Sequence, residues 1–194
     1  MGIFSDPKPA RTLYVYDKGS NYLLLDNDKT TPLYHVHFNI HTVPHMTVAR
    51  AVDPDKIIGS AIFFPKKKAG VWASSSDIQL AIHDDSYEFN KEGGTFSTAK
   101  RTLRTQSHGT LYWKGGYAAS GFMKLLDDKK RIVADYQNKM YTGDVMGVIE
   151  IMGLIDVDNA LLDEIVVSCI AMLSEEKCSM TSTAANMSSA GALM

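Results

Sequence analysis

Between positions 11 and 152, apolar and polar residues alternate in short runs that are cut by Gly, Pro, Asn or Asp. A period of two sends successive side chains to opposite faces, so each run predicts a strand with one buried face. The first runs are RTLYVY (11–16), LYHVHFNI (33–40), MTVARA (46–51), IIGSAIFF (57–64), DIQLAI (77–82) and SYEFN (86–90). They are followed by RTLRT (101–105), TLYWKG (110–115), GFMKLLD (121–127), RIVADYQ (131–137) and VMGVIEIM (145–152). No helical period intervenes between them, which favours an antiparallel sheet over a parallel one built from βαβ crossovers.

The pattern changes at position 158. The segment DNALLDEIVVSCIAML (158–173) opens with Asp158 at an N-cap position and carries Asp163 and Glu164 in its early turns, where carboxylates suit the positive helix end. Its apolar residues cover every side of a helical wheel, so the helix must be buried all round. Asp163, Glu164, Ser168 and Ser174 keep the uninterrupted apolar run far below the roughly 20 residues that span a bilayer. Burial within the protein's own sheet is the expectation, and it predicts a mainly β fold whose antiparallel sheet wraps around the helix as a barrel. Residues 1–10 read as an N-terminal arm, 11–178 as the domain, and the uncharged SMTSTAANMSSAGALM (179–194) as a flexible or partner-bound tail.

Composition adds limits rather than a function. With 45% hydrophobic and 22% charged residues in 194, the chain can bury one core. Twenty Lys and Arg against 22 Asp and Glu leave a net charge of −2, with no broad attraction for nucleic acid. Two cysteines and an N-terminus without an apolar run predict a cytoplasmic protein without a disulfide framework. Motifs of Ser hydrolases, zincins, Walker loops and dinucleotide folds are missing, and Ser97 to Lys100 matches Ser-x-x-Lys without its companions.

The order of motifs is more specific. TPLYHVHFNI leads to TVARA, then to TLYWKG with Tyr112-Trp113-Lys114, then to RIVADYQ and finally LLDEIVVSCIAMLSEEKC. Over residues 11–178 this resembles a fungal family of unknown function that is similar to the tubby C-terminal domain and the phospholipid scramblases. The resemblance implies a 12-stranded antiparallel barrel around a hydrophobic C-terminal helix. It also implies contact with phospholipid head groups or membranes, and the fungal family counts a mushroom pigment carrier among its members.

Three functional readings follow. His35, His37 and His41 share strand parity, and with Asn39 they present one polar face to a ligand, while Tyr34, Val36, Phe38 and Ile40 point the other way. Tyr112, Trp113, Tyr117 and Phe122 are aromatic candidates for the same pocket, although Tyr112 and Trp113 must fall on opposite faces. On this reading the protein is a non-enzymatic binder of a small apolar ligand, such as an aromatic chromophore. A second reading places an anionic phospholipid on Lys66, Lys67, Lys68, Lys100, Arg101, Arg104 and Lys114. The third uses His35, His37 and His41 as ligands of a divalent metal in an enzyme. The uncharged tail and open strand edges make a homodimer a further expectation.

Overall fold

The computed structural model describes residues 8–64, 77–92, 100–116, 121–139, 145–153 and 157–190, with helix side chains described as far as Cys178. Thirteen strands form one antiparallel sheet. They are β1 (Pro9–Asp17), β2 (Asn21–Leu25), β3 (Pro32–Phe38), β4 (Met46–Arg50), β5 (Asp53–Phe63), β6 (Ile78–Ile82) and β7 (Asp85–Glu88). The second half comprises β8 (Lys91–Glu92), β9 (Lys100–Arg104), β10 (Thr110–Gly116), β11 (Phe122–Leu126), β12 (Ile132–Asn138) and β13 (Val145–Met152). One helix, α1 (Asn159–Ala190), ends the described chain.

The strand order is β7-β6-β5-β4-β3-β2-β1-β13-β12-β11-β10-β9-β8. Two meanders are therefore joined in the middle, where β1 pairs with β13 from Pro9↔Met152 to Tyr16↔Val145. The two outermost strands, β7 and β8, are neighbours in sequence, separated only by Phe89 and Asn90. Three Cα steps reach at most about 11 Å, so the sheet must curl until its edges nearly meet. Side chains bridge that seam: the Arg101 guanidinium on β9 donates to the Phe89 carbonyl (2.6 Å), and the Arg104 guanidinium lies 5.9 Å from the centre of the Tyr87 ring on β7.

Among the described residues no ladder closes the seam, so the sheet of 13 strands is not closed there into the expected barrel of 12. Strand length explains this. β7 and β8 are four and two residues long, and the Phe89 amide bonds back to the Ile78 carbonyl on β6 instead of crossing the gap.

The enclosed space holds α1. Every residue from Leu161 to Glu175 is buried, as the absence of a polar stripe predicts. Asp158 caps the helix, its Oδ1 accepting the Leu161 amide at 2.8 Å. Trp113 on β10 is fully buried and donates from Nε1 to Ser168 Oγ (2.9 Å), which satisfies both polar groups inside the core. Where α1 passes β5 the spacing is closest: a Cβ built on Gly59 would lie 2.5 and 2.6 Å from the two Val167 methyls.

The structure differs from the sequence reading in two further ways. Helix α1 continues through Ala190, past the expected end at Leu173, because no Pro or Gly occurs until Gly191. The tail is thus helical through residue 190, and residues 191–194 lie outside the described part. Eleven strands coincide with the alternating runs, whereas β2 and β8 do not. Among the described residues, no helix is long and apolar enough to cross a membrane.

Two substitutions test the threaded helix. Val167→Asp leaves an unpaired carboxylate in the core and should cost at least about 4 kcal/mol in urea unfolding. Gly59→Ala should cost about 1–3 kcal/mol by overpacking, and Gly59→Ala with Val167→Ala should be less destabilised than the two single losses combined. Additive losses would mean that the two positions do not touch.

Candidate functional site

Alternation in β3 buries Tyr34, Val36 and Phe38 in the core, where Tyr34 reaches Asp163 of α1, and turns His35 and His37 outward. The register then assembles two rows across the outer face. One row runs Asn21, His37, Thr47 over β2, β3 and β4. The other runs Leu23, His35, Ala49, Ile57 and reaches β5. The first row is polar, and the second is apolar apart from its imidazole. Both rows, together with Lys18 and Pro54, line a groove of about 410 Å³, within the usual size range of small-ligand sites.

Hydrogen bonding fixes part of this surface. His37 Nδ1 lies 3.0 Å from Asn21 Oδ1, so the ring is oriented by its cross-strand neighbour. A second groove of about 440 Å³ begins on the other side of His37 and is lined by Gly19, Ser20, Phe38, Asn39, Ile40 and Lys177. Lys177 enters from α1 and is tied to Asp17 Oδ2 (2.8 Å) and the Gly19 carbonyl (2.9 Å).

The remaining loop residues have structural roles. Asn39 Oδ1 accepts the His41 amide at 2.9 Å and closes a turn, which carries His41 away from the strand. His41 lines neither groove. His45 Nδ1 accepts the Phe63 amide at 2.8 Å, and its ring stacks on Phe63 with centroids 5.8 Å apart. That bond requires a neutral acceptor nitrogen, and burial holds the imidazole below its ordinary pKa.

The aromatic candidates do not join the histidines. Trp113 belongs to the core, bonded to α1, because its parity on β10 points inward. Tyr112 and Phe122 face outward on β10 and β11, and β10 lies six strands from β3 in the sheet order. Tyr117 lies outside the described residues. Among the described residues no three His, Cys, Asp or Glu groups converge as metal ligands, so His35, His37 and His41 do not assemble the expected metal set. The reason is the turn at Asn39, which ends the shared face after His37.

The basic candidates divide in the same way. Lys66, Lys67 and Lys68 lie outside the described residues. Arg101 points inward, bonded to the Phe89 carbonyl and paired with Glu175 at 3.4 Å, so it is unavailable to a head group. Arg104 faces outward over Tyr87. Lys100 and Lys114 stand directly opposite each other on β9 and β10, and Lys124 on β11 stands opposite Lys114. Three ammonium groups therefore occupy adjacent strands, which the sequence reading missed at Lys124. Like charges so placed repel. The row is partly relieved by Glu92, 3.7 Å from Lys100, by the Tyr112 ring 3.9 Å from Lys100 and by the Phe122 ring 5.9 Å from Lys124.

Comparisons with family models, curated proteins and solved structures give no match.

At the start of α1, two neighbouring carboxylates meet different surroundings. Asp163 is fully buried and fully served: Arg50 donates to both oxygens (2.9 and 2.7 Å), and the Tyr34 hydroxyl donates at 2.9 Å. His83 Nε2 lies 3.5 Å from the same group. Glu164 is also buried, but only Oε1 is paired, accepting the Gln106 amide at 2.8 Å, while Oε2 has no hydrogen-bond partner among the described residues. Burial pushes its carboxyl from 4.5 up to about 7, opposed by the Gln106 bond and assisted by nearby Asp158, Asp163 and Asp85. A carboxyl raised in the folded state stabilises the fold when protonated, and that contribution is lost as pH rises from about 4.5 through about 7. Thermal melts of Glu164→Gln and the parent should therefore diverge with pH, the parent losing roughly 3 kcal/mol relative to the variant between pH 4 and pH 8. Parallel curves would show that Glu164 is not buried as a carboxylate.

Proposed function

We propose that this protein is a non-enzymatic carrier of a small ligand, held on the outer face of its sheet at His35 and His37. One observation carries the reading. Two outward imidazoles on one strand share a groove of about 410 Å³ with an apolar floor of Leu23, Ala49 and Ile57, and Ile57 is 51% exposed. Exposed apolar surface rimmed by polar groups is the usual mark of a binding site. The interior, where small barrels hold ligands, is occupied here by α1. The wrapped helix also supports the likeness to tubby and scramblase barrels, and an aromatic chromophore is a ligand of suitable size for the groove.

A second reading rests on a different surface. The Lys100, Lys114, Lys124 row next to Phe122, which is 45% exposed, suits the phosphate of an anionic lipid with an apolar residue against the interface.

Each reading has its own measurement. Native and denatured intact mass, with a visible absorption spectrum, should show a bound organic molecule in the parent. A His35→Ala, His37→Ala double variant should lose it while melting within about 1 kcal/mol of the parent, since both side chains are exposed. Unchanged bound mass and absorption in the double variant would remove the histidines from the site. For the second reading, sedimentation with anionic liposomes should fall as salt rises and should weaken when Lys114 and Lys124 become Ser. Salt-independent sedimentation, or none, would end it.

A further inference from the structure

Resting on the carrier reading, the lining of the grooves narrows the chemistry of the ligand. The two grooves that meet at His37 contribute Lys18 and Lys177 and no carboxylate to their walls, in a chain whose net charge is −2. Lys177 is occupied by Asp17, whereas Lys18 makes no ion pair among the described residues and lies with its ammonium 5.8 Å from the Tyr16 ring.

The polarity is graded along the strands. Lys18 sits in the β1–β2 turn, its amide bonded to the Asn21 carbonyl at 2.8 Å, so its backbone stands at the end marked by Asn21 and His37, and its side chain lines the groove there with the ammonium 5.8 Å from the Tyr16 ring. Two residues further along, about 7 Å, the row becomes Leu23, His35, Ala49 and Ile57. A cation and amide at one end and hydrocarbon at the other match a molecule that carries one negative group on a flat or aliphatic body.

We propose that the groove takes an amphipathic carboxylate, its acid end at Lys18, Asn21 and His37 and its apolar body over Leu23, Ala49 and Ile57. A neutral aromatic would forgo the ammonium, and an amine would be repelled by it. A carboxylate gains a charge-assisted hydrogen bond while covering the exposed Ile57.

The probes are 2-naphthoate and its neutral counterpart 2-naphthamide, titrated into the full chain by fluorescence after any carried ligand has been stripped. Naphthoate should bind about tenfold more tightly than the amide, the difference expected of one charge-assisted contact. Lys18→Gln should erase that preference while leaving the amide's affinity unchanged, and Ile57→Ser should weaken both probes alike. Lys124→Gln, in the lysine row, should alter neither. Equal affinity of the two probes for the parent would overturn the anionic ligand and leave the carrier reading standing. Loss of the preference in Lys124→Gln rather than Lys18→Gln would overturn the location. Failure of both probes, together with no bound mass in the isolated protein, would overturn the carrier reading as well.

Discussion

Helix α1 has no solvent face between Leu161 and Glu175, yet it carries Asp163, Glu164, Ser168, Ser174 and Glu175 within that stretch. Each of these groups would cost several kcal/mol if buried without a partner. Their partners come from around the sheet: Arg50 and Tyr34 for Asp163, the Gln106 amide for Glu164, Trp113 for Ser168, the Met46 sulfur for Ser174 and Arg101 for Glu175. The helix thus acts as a register pin. A sheet rotated about it by one strand would leave several of these charges unpaired, so polar contacts select one arrangement from the many that hydrophobic burial alone would permit.

The same constraint explains where a ligand surface can exist. Side chains that point inward are committed to α1, and this removes Trp113, Tyr34 and Arg101 from any site open to solvent. What remains is the outer face, where strand register decides which residues become neighbours. Asn21, His37 and Thr47 stand together because β2, β3 and β4 are aligned, and Lys100, Lys114 and Lys124 stand together because β9, β10 and β11 are.

Much of the fold was legible because it is written in local periodicity. The Asp158 cap, the helix whose apolar residues cover every side, and the shared parity of His35 and His37 opposite Tyr34, Val36 and Phe38 each depend on residues within a turn or two of one another. Strand β2 was not legible: Leu23, Leu24 and Leu25 are equally apolar, although only Leu24 is fully buried, so no alternation shows. Losing β2 also hid Asn21 and Leu23, and with them half of the groove. The contribution of Ile57 depends on its pairing with Ala49 across a bulged hairpin, and that of Lys124 on a cross-strand partner ten residues away, neither of which leaves a mark in the local sequence. The seam at Phe89 was hidden for the same reason, being a property of the whole sheet order.

That sheet order also bears on how the chain comes to be folded. Strand β1 pairs with β13, more than a hundred residues later in the chain, and the helix that fills the interior follows both. During synthesis the N-terminal meander would present its apolar inner face, including Leu13, Val36, Val48 and Phe63, until the start of α1 at Asn159, 96 residues after Phe63 and 146 after Leu13, had emerged. Contacts so distant in sequence make for slow assembly and a long interval of exposed strand edge. The architecture that seals its core most completely in the finished molecule is therefore one that leaves it open for a long interval while the chain assembles.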